Sequence, residues 1–391
     1  MKKNIKKINK YKKLFNQVSS DILKNIDITK NTFNVFSDKF KLNFSTNELS
    51  KFKKYRNIVL IGMGGSILCS EAIKDFLTHK IKKKVFFFND INPELIYQTK
   101  KKINLKKTLF IIISKSGSTI ETLSNFLSLK IIKKNSKNII LISEKKNNFL
   151  FNLSKKLNLF YIEHKDYIGG RYSVLSEVGV VPAYLMGLDI IKLRSKLKQF
   201  LRGSKKNLLR SDVVNFASII SEKKYSNLVL LNYEPRFEKF LYWVQQLIAE
   251  SLGKNKMGLF PIISNAPKDH HSLLQLYLDG PKNNLFYVFY NNEKIKTKIK
   301  TKNFSKKEIF FKNKSLSEIK IAQKNALIRV FKHKKIPFKE FEIQKFNEKT
   351  LSSLFSYFML KTAITGKLLK INPFNQPEVE QVKKETKKIL S

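Results

Sequence analysis

The chain reads as an α/β protein of two domains, each a mainly parallel sheet flanked by helices in three layers, with helical segments at both ends. Three observations predict this. The 391 residues exceed one ordinary domain. Short, wholly apolar runs recur at intervals that leave room for a helix, as buried parallel strands do when helices cover both faces of their sheet. Two of these runs lead straight into turns of glycine or serine that open a helix. A hydrophobic content of 42% fits a globular chain.

Residues 1–49 read as a polar, lysine-rich helical segment with Tyr11, Phe15 and Val18 on one face and a cap expected at Ser20 or Asp21. The first domain, residues 50–185, has expected strands at 58–61, 85–88, 109–113 and 139–142, with a glycine turn at 62–66 and a helix over 67–77. The second, residues 186–370, opens with a strand at 228–231. A helix over 237–251 follows, with Phe240, Trp243, Val244 and Leu247 in one apolar stripe, and then a strand at 285–290. Residues 291–315 are rich in lysine and asparagine and read as an exposed connection, before helices at 317–333 and 350–369. In the segment 371–391, Asn372-Pro373-Phe374-Asn375-Gln376-Pro377 breaks the chain. A last helix starts near Pro377, where a missing N–H costs nothing.

The formal charge of +47 suggests a nucleic-acid partner, because clustered cations displace counterions from phosphates. Only seven of the 77 basic residues are arginine, however, and the lysines are spread along the whole chain. Arginine is the better fork for phosphates and base edges. The charge therefore reads as solvated surface, and no specific nucleic acid is expected. The single cysteine, Cys69, permits no internal disulfide, which suits a reducing compartment. No apolar run approaches the ~18 residues of a membrane span, and the start lacks a signal peptide's apolar stretch. A cytoplasmic protein without membrane contact is expected. The five histidines show no HxxxH spacing, so no metal site is expected.

Two loops carry chemistry. Gly62-Met63-Gly64-Gly65-Ser66 lies between a strand and a helix, where backbone N–H groups and the helix dipole favour an anion. It is not a complete dinucleotide fingerprint, because Ile67 stands at the third glycine position and Asp90 comes late for the ribose carboxylate. No cofactor is expected. The second loop, Ser114-Lys115-Ser116-Gly117-Ser118-Thr119, gathers four hydroxyls and a glycine at one strand's carboxyl end. That set suits a phosphate monoester better than a pyrophosphate.

Further along stand Gly169-Gly170-Arg171-Tyr172-Ser173, Glu250-Ser251-Leu252-Gly253-Lys254, Asp269-His270-His271-Ser272-Leu273-Leu274-Gln275, and the 372–383 segment ending in Lys383. With the two loops, these motifs resemble, in order, those of the glucose-6-phosphate isomerase family of phosphosugar-binding (SIS) proteins. The resemblance implies two SIS-type domains and reversible aldose-ketose isomerisation of glucose 6-phosphate in glycolysis and gluconeogenesis. It makes Glu250 the carboxylate that moves the proton between C1 and C2, and Arg171 the cation beside the enediolate. His271 and Lys383 match the groups that open and close the ring. Ser66, Ser114, Lys115, Ser116 and Thr119 match the phosphate cradle, and Gly65, Gly170 and Gln376 match other substrate contacts. A homodimer, with His271 arriving from the partner, is implied too. The motif departs from the family at His270, Leu274, Asn375 and Glu378, which bears on local loop geometry rather than on the reaction.

The chemistry is sensible on its own terms. One carboxylate in reach of two adjacent carbons can remove and return the same proton, and an enediolate needs a fixed cation. Two other readings use the same loops. A non-enzymatic sugar-phosphate regulator would not need Glu250, Arg171 and Lys383 together, and a dual-specificity phosphoglucose/phosphomannose isomerase differs only in its substrates.

Overall fold

The computed structural model describes residues 2–293, 297, 299, 305 and 307–391, so the expected connection at 291–315 lies in part outside the described residues. Strands β1 (Asn57–Ile61), β2 (Lys84–Phe88), β3 (Thr108–Ile113), β4 (Ile139–Ser143) and β5 (Phe160–Glu163) form a parallel sheet in the order β2-β1-β3-β4-β5. Strands β6 (Asn227–Asn232), β7 (Phe260–Asn265), β8 (Asn284–Tyr290) and β9 (Phe338–Glu342) form a second, also parallel, in the order β7-β6-β8-β9. In the first sheet the chain leaves β1 toward β2 on one side and leaves β3 toward β4 on the other. The loops after β1 and β3 therefore diverge and open a crevice at the carboxyl ends of the strands, which is where ligands of open α/β sheets bind.

The expected α/β class is what the chain adopts. The alternation along the central strands explains how the two sheets are joined. Ile58 and Leu60 of β1, like Leu228 and Leu230 of β6, enter one apolar core shared by both halves. Their neighbours Val59 and Ile61, and Val229 and Leu231, enter separate cores on the outer faces. Helices Gly65–Phe76 and Glu238–Leu252 pack against each other in the shared layer. The expected stripe of Phe240, Trp243, Val244 and Leu247 is wholly buried there.

Three strands carry no clear signal in the sequence: β5, β7 and β9. All are edge strands, packed on fewer neighbours, so their apolar runs are interrupted. Pro261 sits in β7, as proline can at an edge, and β9 alternates Phe338-Lys339-Glu340-Phe341-Glu342. The expected cap at Ser20 or Asp21 is corrected: helix Lys2–Asn25 runs straight through both residues. Its apolar face, Tyr11, Phe15 and Ile22, continues to Ile26 in the shared core, and Asp21 accepts a hydrogen bond from Asn25 Nδ2 at 2.7 Å. Packing of that face on helices Gly203–Glu222 and Glu348–Leu368 carries the helix past the polar pair. Among the described residues no helix is long and apolar enough to cross a membrane.

One buried charge is Lys361, within the second half of the chain. Lys361, on helix Glu348–Leu368, donates to Tyr287 Oη at 2.5 Å beneath the Phe216 ring, while Asp212 pairs with Lys339 and Tyr357 nearby. Burial pulls the Lys361 pKa down to about 7, against ~10.4 for a free lysine. With the folded value below the unfolded one, the destabilisation is complete below about pH 7 and fades as pH rises toward the unfolded value. Lys361→Met combined with Tyr287→Phe, which removes both polar partners, should raise the melting temperature more at pH 6 than at pH 9. Equal gains at the two pH values in thermal melts would contradict this account.

Candidate active site

The site begins with a backbone contact. Gly64 holds φ +52° at the start of helix Gly65–Phe76, a region that favours glycine, and a Cβ there would come within 2.8 Å of Gln246 Nε2. A Cβ on Gly65 would lie 2.2 Å from Gly170 C and 2.6 Å from Arg171 N. The turn after β1 therefore touches the 170–171 backbone directly, which sets Arg171 at the floor of the crevice. Gly170 itself has room for a side chain, its nearest neighbour being Gly65 Cα at 3.9 Å.

Arg171 is 2% exposed and makes five hydrogen bonds. Nε donates to Ser251 Oγ at 2.8 Å. Nη1 donates to Glu250 Oε2 at 2.9 Å and Gln376 Oε1 at 2.7 Å, and Nη2 to the carbonyls of Pro373 (2.8 Å) and Asn375 (3.0 Å). One guanidinium thus ties the end of helix Glu238–Leu252 to the 373–376 loop, and among the described residues its one ion pair is with the Glu250 carboxylate. The second Glu250 oxygen accepts from Gln246 Nε2 at 2.9 Å, one turn back on the same helix. The Glu250 side chain remains 31% exposed, so it is held from two sides without being sealed from solvent.

The same loop is fixed by a second cation. Lys254 Nζ donates to the carbonyls of Asn372 and Asn375 at 2.5 Å each and to Asn375 Oδ1 at 3.0 Å. Burial, with Arg171 beside it, draws the Lys254 pKa down to about 8. Tyr172 Oη shares a 3.0 Å hydrogen bond with Ser251 Oγ, and burial pushes the phenol up to about 12, so it stays neutral. Phe374 packs edge-on against Tyr172 and Phe33.

Beside this assembly, the loop after β3 forms a small hydroxyl cluster at the start of helix Ile120–Ser128. Ser114 Oγ lies 2.8 Å from Thr119 Oγ1, and Ser116 Oγ lies 3.4 Å from it. Gly117 holds φ +67°, and a Cβ there would fall 1.8 Å from Asn148 Oδ1, so only glycine makes this turn. Ser66 is in the first turn of helix Gly65–Phe76, following the neighbouring strand β1. Lys115 turns away from the hydroxyls: its Nζ donates to Asp166 O at 2.7 Å and lies 3.6 Å from the Glu144 carboxylate, with burial lowering its pKa.

Of the residues expected at the site, the fold brings together Gly65, Gly170, Arg171, Glu250 and Gln376, and clusters Ser114, Ser116 and Thr119. Among the described residues, neither His271 nor Lys383 makes a hydrogen bond or ion pair with Glu250 within one chain. His271 is exposed at the end of a short turn, Lys268–His271, after β7. Lys383 is exposed on the last helix, Pro377–Leu390, and its Nζ donates to Glu380 at 2.7 Å. Gln246 and Lys254 belong to the site without having been singled out as site residues. The four-residue spacing of Gln246 and Glu250 on one helix face was the available signal for the first. Lys254 was visible only as part of its motif.

The chain matches the family model described as phosphoglucose isomerase over residues 9–391. It is 33% identical over 363 residues to a probable glucose-6-phosphate isomerase of Methanococcus maripaludis, covering 90% of this chain and 82% of that protein. It is also 33% identical over 368 residues to a glucose-6-phosphate isomerase of Campylobacter jejuni, covering 87% and 86%. Among solved structures, a hypothetical protein from Thermus thermophilus shares the fold at a TM-score of 0.84 and 23% identity, covering 98% of this chain and 96% of that one.

Proposed function

This chain belongs to the phosphoglucose isomerase family, and from that premise we propose how its residues perform the reaction. The protein is an isomerase that interconverts glucose 6-phosphate and fructose 6-phosphate, a step of glycolysis. Glu250 is its base. With the sugar open and the carbonyl at C1, the carboxylate takes the C2 proton. The electron pair left behind forms the C1–C2 double bond, and negative charge moves to O1. Return of the proton to C1, with transfer of the O2 proton to O1, gives the ketose. The observation that carries this reading is the 2.9 Å pair of Glu250 with the buried Arg171. As Glu250 accepts the proton its charge is lost while the enediolate's appears, so Arg171 keeps an anionic partner throughout. Gln246 holds the other carboxylate oxygen and so helps fix its direction.

The hydroxyls of Ser114, Ser116 and Thr119, with Ser66, receive the substrate phosphate at the two helix starts. Lys115 joins them on leaving Asp166 and Glu144, and Gly65, Gly170 and Gln376 line the sugar. Ser116→Ala with Thr119→Ala should weaken binding of the 6-phosphates far more than that of the free sugars. Equal loss for both ligands would move the phosphate site elsewhere.

His271 and Lys383 open and close the ring, with His271 supplied by the second subunit of a homodimer. Supporting this, His271 in one chain is exposed and makes no hydrogen bond or ion pair with Glu250 or Arg171 among the described residues. Subunit mixing tests it. Glu250→Gln and His271→Ala chains, each impaired alone on ring-closed substrate, should regain activity when dissociated and reassociated together, because one site of the hybrid has both groups intact. No recovery in verified hybrids would place His271 and Glu250 of one chain in the same site.

A further inference from the structure

We propose a second anion site, at the end of the first sheet opposite the crevice, that takes a short chain of phosphates. A groove of about 910 Å³ opens there, bounded by residues 53–57, 82–84 and 104–107 at the amino ends of β1, β2 and β3. Eight of its eleven lining residues are lysine or arginine, and none is aspartate or glutamate. At the chain-wide share of 77 basic residues in 391, eleven positions would hold about two. Lysines gather on surfaces, so part of this concentration is expected there, but none of the lining is acidic. Nor is it neutralised locally: among the described residues, none of the eight makes an ion pair.

Lys83 shows the cost most directly. It is half-buried, its Nζ donates to the carbonyl of Lys53 at 2.9 Å, and burial together with the charge of Lys53 lowers its pKa. Like charges drawn into one concavity without a counter-charge destabilise one another, and a bound polyanion relieves that repulsion. The site's chemistry favours phosphates over nucleic-acid bases. Seven of the eight cations are lysine, which binds phosphate as a point charge but lacks the fork that reads base edges. The one aromatic residue in the lining, Tyr55, is 9% exposed with its Oη bonded to Lys137 O at 3.2 Å, and offers no face for a base to stack on. The volume is of the order that holds a small ligand. The groove and the crevice stand at opposite ends of the five-residue strand β1, on the order of 15 Å apart, so occupancy of one is separable from occupancy of the other.

The test is titration calorimetry at physiological salt with inorganic tripolyphosphate and, separately, ATP, with fructose 6-phosphate saturating the crevice. Each chain should bind one tripolyphosphate. Lys83→Glu/Lys84→Glu/Lys106→Glu should weaken it at least tenfold. Lys6→Glu/Lys10→Glu/Lys13→Glu, which makes the same change in net charge on the first helix, should weaken it less than threefold. Both triples should keep isomerase turnover, which reports that they fold. Tighter binding of ATP than of tripolyphosphate would identify a nucleotide as the carrier, and equal or weaker binding the phosphate chain alone; either supports the site. Equal losses in the two triples would reduce the effect to net charge and overturn the proposal. So would no binding beyond the crevice, or displacement of tripolyphosphate by single-stranded DNA that binds more tightly at matched charge.

Discussion

Glu250→Gln is expected to lower turnover by roughly 10²–10⁴-fold, or about 3–5 kcal/mol of barrier, while substrate binding largely survives. The amide keeps the size of the carboxylate and can still accept a hydrogen bond from Arg171 or Gln246, so the crevice keeps its shape. It loses the basic oxygen proposed to take the C2 proton, and it removes the carboxylate that pairs with the buried Arg171. Turnover should be followed together with exchange of the C2 proton into deuterated solvent on pre-opened substrate, because that exchange isolates the proton transfer from ring opening. Near-normal exchange in the variant would mean that another group is the base. His271→Ala provides the contrast. It should slow ring-closed substrate most and pre-opened substrate least, since ring opening precedes the transfer.

Arg171→Lys should cost a further large factor, on the order of 10²–10³-fold in turnover, although the positive charge is kept. An ammonium has three donors at one point, whereas Arg171 reaches Ser251, Glu250, Gln376 and two loop carbonyls from a rigid fork. A lysine cannot bond the carboxylate and hold the 373–376 loop at once. The cost should appear in turnover, with faster proteolysis or hydrogen exchange in residues 372–376 as a second sign. If Arg171→Lys left both unchanged, charge alone would suffice and the fork would be incidental.

The central strands were legible because burial on both faces enforces unbroken apolar runs: β1, β3, β4, β6 and β8 all carry one. The edge strands β5, β7 and β9 were not, since half-exposed strands accept proline and charge without penalty. The stripe of Phe240, Trp243, Val244 and Leu247 was readable from its spacing alone, but its burial partners were not, because helix Gly65–Phe76 lies in the other half of the chain and Phe355 and Phe358 lie more than 100 residues further on. The expected cap at Ser20 or Asp21 failed for a related reason. Ser20 and Asp21 have the local chemistry of a cap, and tertiary packing of Phe15, Ile22 and Ile26 overrode it.

The sequence by itself determined the α/β class, the two strand-to-helix turns, and the residue types of the site. Each of these follows from short-range physics: apolar periodicity, glycine where φ is positive, and hydroxyls where a helix starts. Only the tertiary structure decided what those residues do together. Gly65 has to be glycine because it meets the backbone of Gly170, more than 100 residues away along the chain. Arg171 is fixed by groups 79 to 205 residues distant, and Gln246 joins the site through its bond to Glu250 and its place against Gly64. Contacts across such separations leave no periodic trace in a single sequence, because each side chain needs only to suit its own local element until the fold closes and supplies the partner.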